Sequence, residues 1–311
     1  MKKKIISAAF VTLAFAVVPF IWDAEKSYLV YSLFLFFCYI VISQAWNLVA
    51  GYTGQISLGQ HAFFGLGAYT TALLWLHDIT KTGYYFDPVT MLLSGLVPAA
   101  LAVIIGIPLL SRLRGDYFAL GTLGMGEIIK VIFVKGGKLT GASDGLHLPS
   151  AIYSSMRPYY WTGLFLALFA TALVYFIARS SVGLALRAIR EDETSAAARG
   201  INVLKYKVLA FSVGAFLAGL CGSLYGIYLF HINPDSVLKL DWTLYPILIC
   251  VIGGTGTMTG PLLGAFFITT VFAVADMYFV QMHPIMAGIL IILVMKFMPN
   301  GLIGLIQKKR H

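Results

Sequence analysis

Runs of roughly 20 apolar residues recur from one end of the 311-residue chain to the other, separated by short polar connections. A run of that length crosses the hydrocarbon of a bilayer as a helix, and a helix satisfies its own N–H and C=O groups where no water can. The segments are 5–22, 28–50, 61–76, 90–110, 117–134, 160–178, 208–230, 244–252, 261–280 and 285–298. The expected fold is therefore all-α, a polytopic transmembrane helix bundle with about ten apolar segments, forming one domain over residues 1–311. The segment 244–252 is short and runs into a glycine cluster, so it reads as a half-helix or a re-entrant piece. The short alternating strands of a membrane barrel are absent from the sequence.

Composition agrees: 59% of residues are hydrophobic and 11% charged, a ratio that no water-soluble surface accommodates. The net charge of +9 does not point to nucleic acid, because the basic residues fall between apolar runs rather than along one stripe. They act as topology marks. Lys2 to Lys4, Arg112, Arg114, Arg179, Arg187, Arg190, Arg199, Lys205, Lys207 and Lys308 to Arg310 collect on one side, against Lys26, Lys81, Lys135, Lys138, Arg157 and Lys239 on the other. By the positive-inside rule the richer side, with both termini, is cytoplasmic. Lys2 to Lys4 and the apolar stretch behind them resemble a secretory signal. No small-x-small cleavage pattern follows, however, and Trp22 stands where an interfacial anchor would, so a retained first helix is expected. Cys38, Cys221 and Cys250 each sit inside an apolar run and read as core packers, with neither a disulfide nor a metal framework.

Three segments carry the functional signal. From Asn47 to Tyr69 five glycines and several polar side chains interrupt apolar sequence; Gln55, Ser57, Gln60 and His61 either line a wet path or satisfy freed backbone groups. From Arg112 to Lys130 a carboxylate, Glu127, lies deep in an apolar run and must be paired or wet; Lys130, one turn on, either pairs with it or snorkels outward. Asp276 poses the same question later in the chain. From Ala185 to Asn202, Glu191, Asp192 and Glu193 precede a run of alanines, Arg199 and Gly200, the order of a short helix with charges matched to its dipole and a glycine stop. That helix is either a solvated surface element or a plug for a groove on a soluble partner.

Two further patterns concern packing. Gly214, Ala218, Gly222 and Gly226 repeat at four-residue spacing and make a flat strip for close helix approach. The stretch G-Y-T-G-Q-I-S at 51–57 is echoed by G-G-T-G-T-M-T at 253–259, each between two apolar helices, as parallel repeats of one unit would be. There is no phosphate loop of the G-x-x-x-x-G-K-[ST] form and no hydrolase signature, so no catalytic residue, metal site or cofactor is assigned.

In this order the segments resemble the permease family of branched-chain amino acid ABC importers, of the LivM type. The marks are G-Y-T-G-Q-I-S-L-G-Q-H-A-F-F-G-L-G-A-Y, R-L-R-G-D-Y-F-A with Glu127 downstream, T-G-A-S-D-G-L at 140–146, A-I-R-E-D-E with the following G-I-N, and V-I-G-G-T-G-T-M-T-G-P-L-L-G-A. The resemblance implies a second homologous permease subunit, two cytoplasmic ATPase subunits that use the ATP, and a periplasmic or lipid-anchored substrate-binding protein, all at a bacterial inner membrane. It makes the loop 179–207 the coupling element, with Glu191, Asp192, Glu193, Ala196, Ala197 and Gly200 as docking residues, although Ser195 to Ala198 depart from the strict E-A-A-x-x-x-G form. Asn47, Gln55, Ser57 and Glu127 are the residues expected along the translocation pathway. An ion-coupled secondary carrier, or a sister system for urea and short amides, is the competing reading.

Overall fold

The computed structural model describes residues 2–23, 25, 27–77, 79, 86–137, 139–148, 155–278 and 301–308. It is a helical bundle. In chain order the helices are α1 (Lys2–Ile21), α2 (Tyr28–Trp46) with a π-helical turn at Asn47–Gly51, α3 (Gln60–Leu76), α4 (Pro88–Arg112), α5 (Asp116–Lys135), α6 (Arg157–Arg179), α7 (Ser181–Glu191) and α8 (Glu193–Ala198). They continue as α9 (Val203–Leu229), α10 (Pro234–Val237), α11 (Asp241–Gly253) and α12 (Gly260–Tyr278), and a further helix spans Gly301–Lys308. Every apolar segment expected up to 261–280 is met by a helix. Among the described residues, 28–51, 88–112, 116–135, 157–179, 203–229 and 234–253 are long and apolar enough to cross a membrane. The run 285–298 and the side chain of Asp276 lie outside the described residues.

The ends of the helices sort into two sets. At one end the 51–59 segment, Arg114, the 180–202 connection, the 253–259 loop and Gly301 meet one another. At the other, a two-stranded ribbon pairs Leu146–His147 with His231–Ile232, and Lys130 meets Asp235 at 2.9 Å. Arg114, Arg190 and Lys207, grouped together from the sequence, share the first of these ends.

Helix α9 is the hub, packed against α2, α3, α4 and α6, and its glycines set how close those helices come. The small-residue strip serves more than one neighbour. Gly214 faces the Ala45 carbonyl of α2, whereas a methyl on Gly222 would overlap the Phe64 carbonyl of α3 and Gly226 abuts Ala68. Gly219 turns to a third side, against Ser94 and Pro98 of α4. Where the three helices meet, Thr71 Oγ1 lies 2.7 Å from both Ser94 Oγ and Ser223 Oγ. Such interhelical hydroxyl contacts contribute about 0.6 kcal/mol on average within membranes. Close packing therefore carries most of the specificity here.

The irregular backbone lies at the two glycine segments. The segment 244–252 forms α11, 13 residues long and preceded by the short α10; the chain leaves helical geometry after it at 254–259, and also at 54–59, between α2 and α3. Side chains satisfy the freed groups there. Trp46 Nε1–H donates to the Ser57 carbonyl at 2.9 Å, Thr122 Oγ1 accepts from Leu58 N–H at 2.9 Å, and Thr243 Oγ1 accepts from His61 N–H at 2.9 Å.

Substituting Gly222 by alanine is expected to destabilise the chain by at least about 2 kcal/mol, since the added methyl meets backbone rather than a movable side chain. Gly124→Ala, where the added methyl meets open space, should leave the unfolding midpoint in detergent unchanged. Equal midpoints for the two variants would show that α3 and α9 are not held by this contact.

Candidate functional site: the 180–202 connection and the glycine junction

The 180–202 connection folds as two helices where the sequence reading expected one. Ser180 caps α7 by accepting from Val182 N–H, and α7 lays Gly183, Ala185, Leu186 and Ile189 against the bundle. Glu191 is the last residue of α7, not the first of the docking helix. Asp192 makes the break. Its backbone is extended and its carboxylate accepts from Ser195 N–H, the N-cap arrangement that starts α8. That hydrogen bond to Ser195 holds the Asp192 carboxyl below its ordinary range.

The far end of α8 closes with a Schellman motif. Ile201 N–H bonds to the Ala196 carbonyl at 3.1 Å and Gly200 N–H to the Ala197 carbonyl at 2.9 Å. Gly200, at φ +84°, supplies the left-handed residue that this closure requires. The result is a helix of one and a half turns with two distinct sides. Ala196 points inward at 2% exposure, whereas Thr194, Ala197, Ala198 and Arg199 face outward. Of the two alanines assigned to docking, only Ala197 is on the outer face.

The inner side of this unit grips the glycine-rich segments. Arg190 Nη1 donates to the Gly51 carbonyl at 2.6 Å, and the same side chain lies against Gly54 and Gly256. Glu193 accepts from Gln55 Nε2 at 2.9 Å, forms an ion pair with Lys207, and has Arg114 Nε at 4.0 Å. Asn47 joins the two echoed segments: its Nδ2 donates to the Thr257 carbonyl at 2.8 Å and its Oδ1 accepts from Gly256 N–H at 2.8 Å. The aligned glycines of the echo, Gly54 and Gly256, both take a positive φ, +73° and +74°.

The residues expected along a pathway therefore separate. Asn47, Gln55 and Ser57 are buried in the junction, with Gln55 turned to Glu193 of the 180–202 connection. Glu127 stands apart on α5, its side chain 55% exposed, with the buried His61 Nε2 at 4.0 Å as its nearest basic atom. Lys130, for which pairing with Glu127 is one of two expectations, pairs with Asp235. Around Glu127 the surface of α5 is apolar: Leu120, Ile128, Val131 and Ile132 are all exposed. A cavity of about 590 Å³ between α3, α4 and α5 is lined by Leu66, Leu101, Ile105, Met125, Ile129 and Phe133 among others. No side chain lining it bears a polar group for an ammonium or a carboxylate, so it does not fit a zwitterion. Cys38, Cys221 and Cys250 are buried and free. Among the described residues no cluster of histidine, cysteine and carboxylate side chains has metal-binding geometry.

Comparison with known proteins supplies the remaining finding. The family model described as the permease component of branched-chain amino acid transport systems matches residues 28–295. The chain is 30% identical over 294 residues to the high-affinity branched-chain amino acid transport system permease protein LivM of Salmonella typhimurium, covering 85% of this chain and 67% of that protein. It is 24% identical to a probable LivM of Methanocaldococcus jannaschii, covering 85% and 90%. It is also 29% identical over 184 residues to the LivH permease protein of Salmonella typhimurium, covering 59% and 58%. No solved structure matches the chain.

The two caps of α8 give separable tests by amide hydrogen exchange. Gly200→Ala forces a side chain into the left-handed region, a cost of roughly 1–2 kcal/mol, and is expected to speed exchange across 193–199 at least about fivefold. Because the folded-state pKa of Asp192 is lowered, its contribution is present above the ordinary carboxylate range and is lost as pH falls through the lowered value. Protection of Ser195 N–H should follow that acid limb in the native chain and not in Asp192→Asn, whose amide oxygen caps at every pH.

Proposed function

The chain belongs to the permease family of branched-chain amino acid transport systems, and from that membership we propose that it is a transmembrane subunit of an ATP-driven importer for branched-chain or similar neutral amino acids. One observation carries the reading: a family match over most of the chain, on a polytopic helical bundle that presents a doubly capped short helix with an outward face of small residues. Likeness to both LivM and LivH proteins supports a pair of related permease subunits. Two ATPase subunits, which hold the ATP, and a substrate-binding protein complete the proposed assembly. An ion-coupled carrier and a urea or amide permease have no comparable support.

The proposed mechanism is mechanical. Closure of the ATPases on ATP moves α8, the glycine junction moves with it, and the bundle passes between two arrangements that open a central path to one side and then the other. The end of the bundle holding the coupling loop is the cytoplasmic one, in keeping with its arginines and lysines, and both termini lie there. The apolar runs then make about ten crossings.

The path itself is proposed to run along α5. A half-exposed carboxylate in the middle of a membrane helix is expensive against lipid, by about 2.5–3.5 kcal/mol or more, so the Glu127 face belongs against a second subunit and a hydrated channel. There the carboxylate meets the substrate's ammonium group. Asn47, Gln55 and Ser57 act from the junction at the end of that path.

Two measurements in vesicles with the reconstituted importer test this. Ala197→Glu places a charge on the outer face of α8 and is expected to reduce uptake at least tenfold without lowering the amount of chain in the membrane; wild-type uptake would remove α8 from the docking role. Glu127→Gln should lower uptake about tenfold, whereas Ile128→Ala beside it should change it less than twofold. Equal uptake by these two variants would leave Glu127 a helix-packing residue.

A further inference from the structure

The coupling loop was read from the sequence as a docking surface, and its outward residues fit that role. Its inward residues do something else. Glu193 is the first residue of α8, and its carboxylate is engaged from two separate parts of the bundle. Gln55 reaches it from the non-helical segment between α2 and α3, and Lys207 from the first turns of α9. Lys207 is 2% exposed, so its ammonium group has been taken out of water and held against one carboxylate. Gln55 is likewise buried, at 5%.

Surface ion pairs contribute little, but a pair with one partner fully buried is different, because removing either charge strands the other in a poor solvent. A buried lysine paired with a residue on a six-residue helix fixes where that helix can go. Helix α8 is too short to be stable alone, so its position is set by what holds its ends. Arg190, just before the break at Asp192, adds a second anchor on Gly51, and Arg114 approaches Glu193 from the α4–α5 turn. Three regions distant in sequence, the 51–55 segment, the 112–116 turn and the start of α9, thus converge on one carboxylate.

We propose that Glu193 is the positioning residue that transmits movement of α8 into the bundle, through Lys207 to α9 and through Gln55 to the junction of α2 and α3. The proposal rests on the transport reading and deepens it. Docking and transmission are then divided between the two sides of one helix: Thr194, Ala197 and Ala198 receive the ATPase, and Glu193 passes the displacement on. Because α9 packs against α2, α3, α4 and α6, a displacement delivered to its first turns reaches most of the bundle.

The experiment uses the full importer in vesicles and reads amino acid taken up per ATP hydrolysed, together with the ATPase that co-purifies. Glu193→Ala and Lys207→Met are each expected to retain the ATPases in wild-type proportion, since the outer face of α8 is untouched, and to lower uptake per ATP at least tenfold. Exchanging the two charges, Glu193→Lys with Lys207→Glu, should recover at least a third of the wild-type ratio. A merely stabilising pair would change the amount of assembled importer and leave the ratio alone. A ratio within twofold of wild type in both single variants overturns the proposal. If Glu193→Ala does not reach the membrane, Glu193→Gln, which keeps the size and the contact with Gln55, decides by the same ratio. If no ATPase co-purifies with the unaltered chain, the transport reading fails and the transmission role fails with it; loss confined to Lys207→Met and Glu193→Ala cannot be mistaken for that result.

Discussion

In hydrocarbon no backbone group can be left without a partner, and most of this structure follows from how the chain meets that demand where its helices break. Between α2 and α3 the backbone is non-helical from 54 to 59, and the groups released there are taken by Trp46, Thr122 and Thr243 from three different helices. A π-helical turn leads into the break and positions Asn47, whose amide ties the first glycine segment to the second. The junction is a rigid knot of backbone and buried polar side chains. Its glycines are needed because backbones cross at distances no side chain allows: a methyl on Gly51 would meet the main chain of Gly256 at 2.6 Å.

What the sequence made legible was whatever has a local signature. Apolar length located the helices, because burial in lipid demands the same run of side chains wherever a helix crosses. The alanine run ending in Gly200 located the end of α8, because the left-handed closure calls for glycine. The start was blurred. Glu191, Asp192 and Glu193 are equally acidic in sequence, and only the extended backbone at Asp192 assigns the first to one helix, the second to a cap and the third to the next helix.

Long-range pairings left no such mark. Lys130 is one turn from Glu127, within pairing reach or placed to snorkel, yet it reaches Asp235 across the bundle. Lys207 entered the sequence reading only as one more positive charge on the inner side, and nothing in its neighbourhood signals that it is buried or that Glu193 holds it. Gln55 has two roles open in sequence, a wet path or satisfaction of polar groups; its partner lies 138 residues away, at the start of α8. The echo between 51–57 and 253–259 was visible as letters, but that the two copies touch, with a positive φ at both aligned glycines, is information only the fold contains.

The two faces of α8 then follow from size. Six residues cannot stabilise a helix from within, so α8 exists only because caps close both its ends and the bundle holds its inner side. An element made that way has no slack of its own: it moves with whatever it is fixed to. Small residues on its outside allow close approach of another surface, while on its inside one carboxylate joins α9 to the junction. A longer, self-sufficient helix could tilt or bend under load and dissipate the displacement. A short one, pinned at its first residue by an ion pair to a buried lysine and by an amide, passes it on.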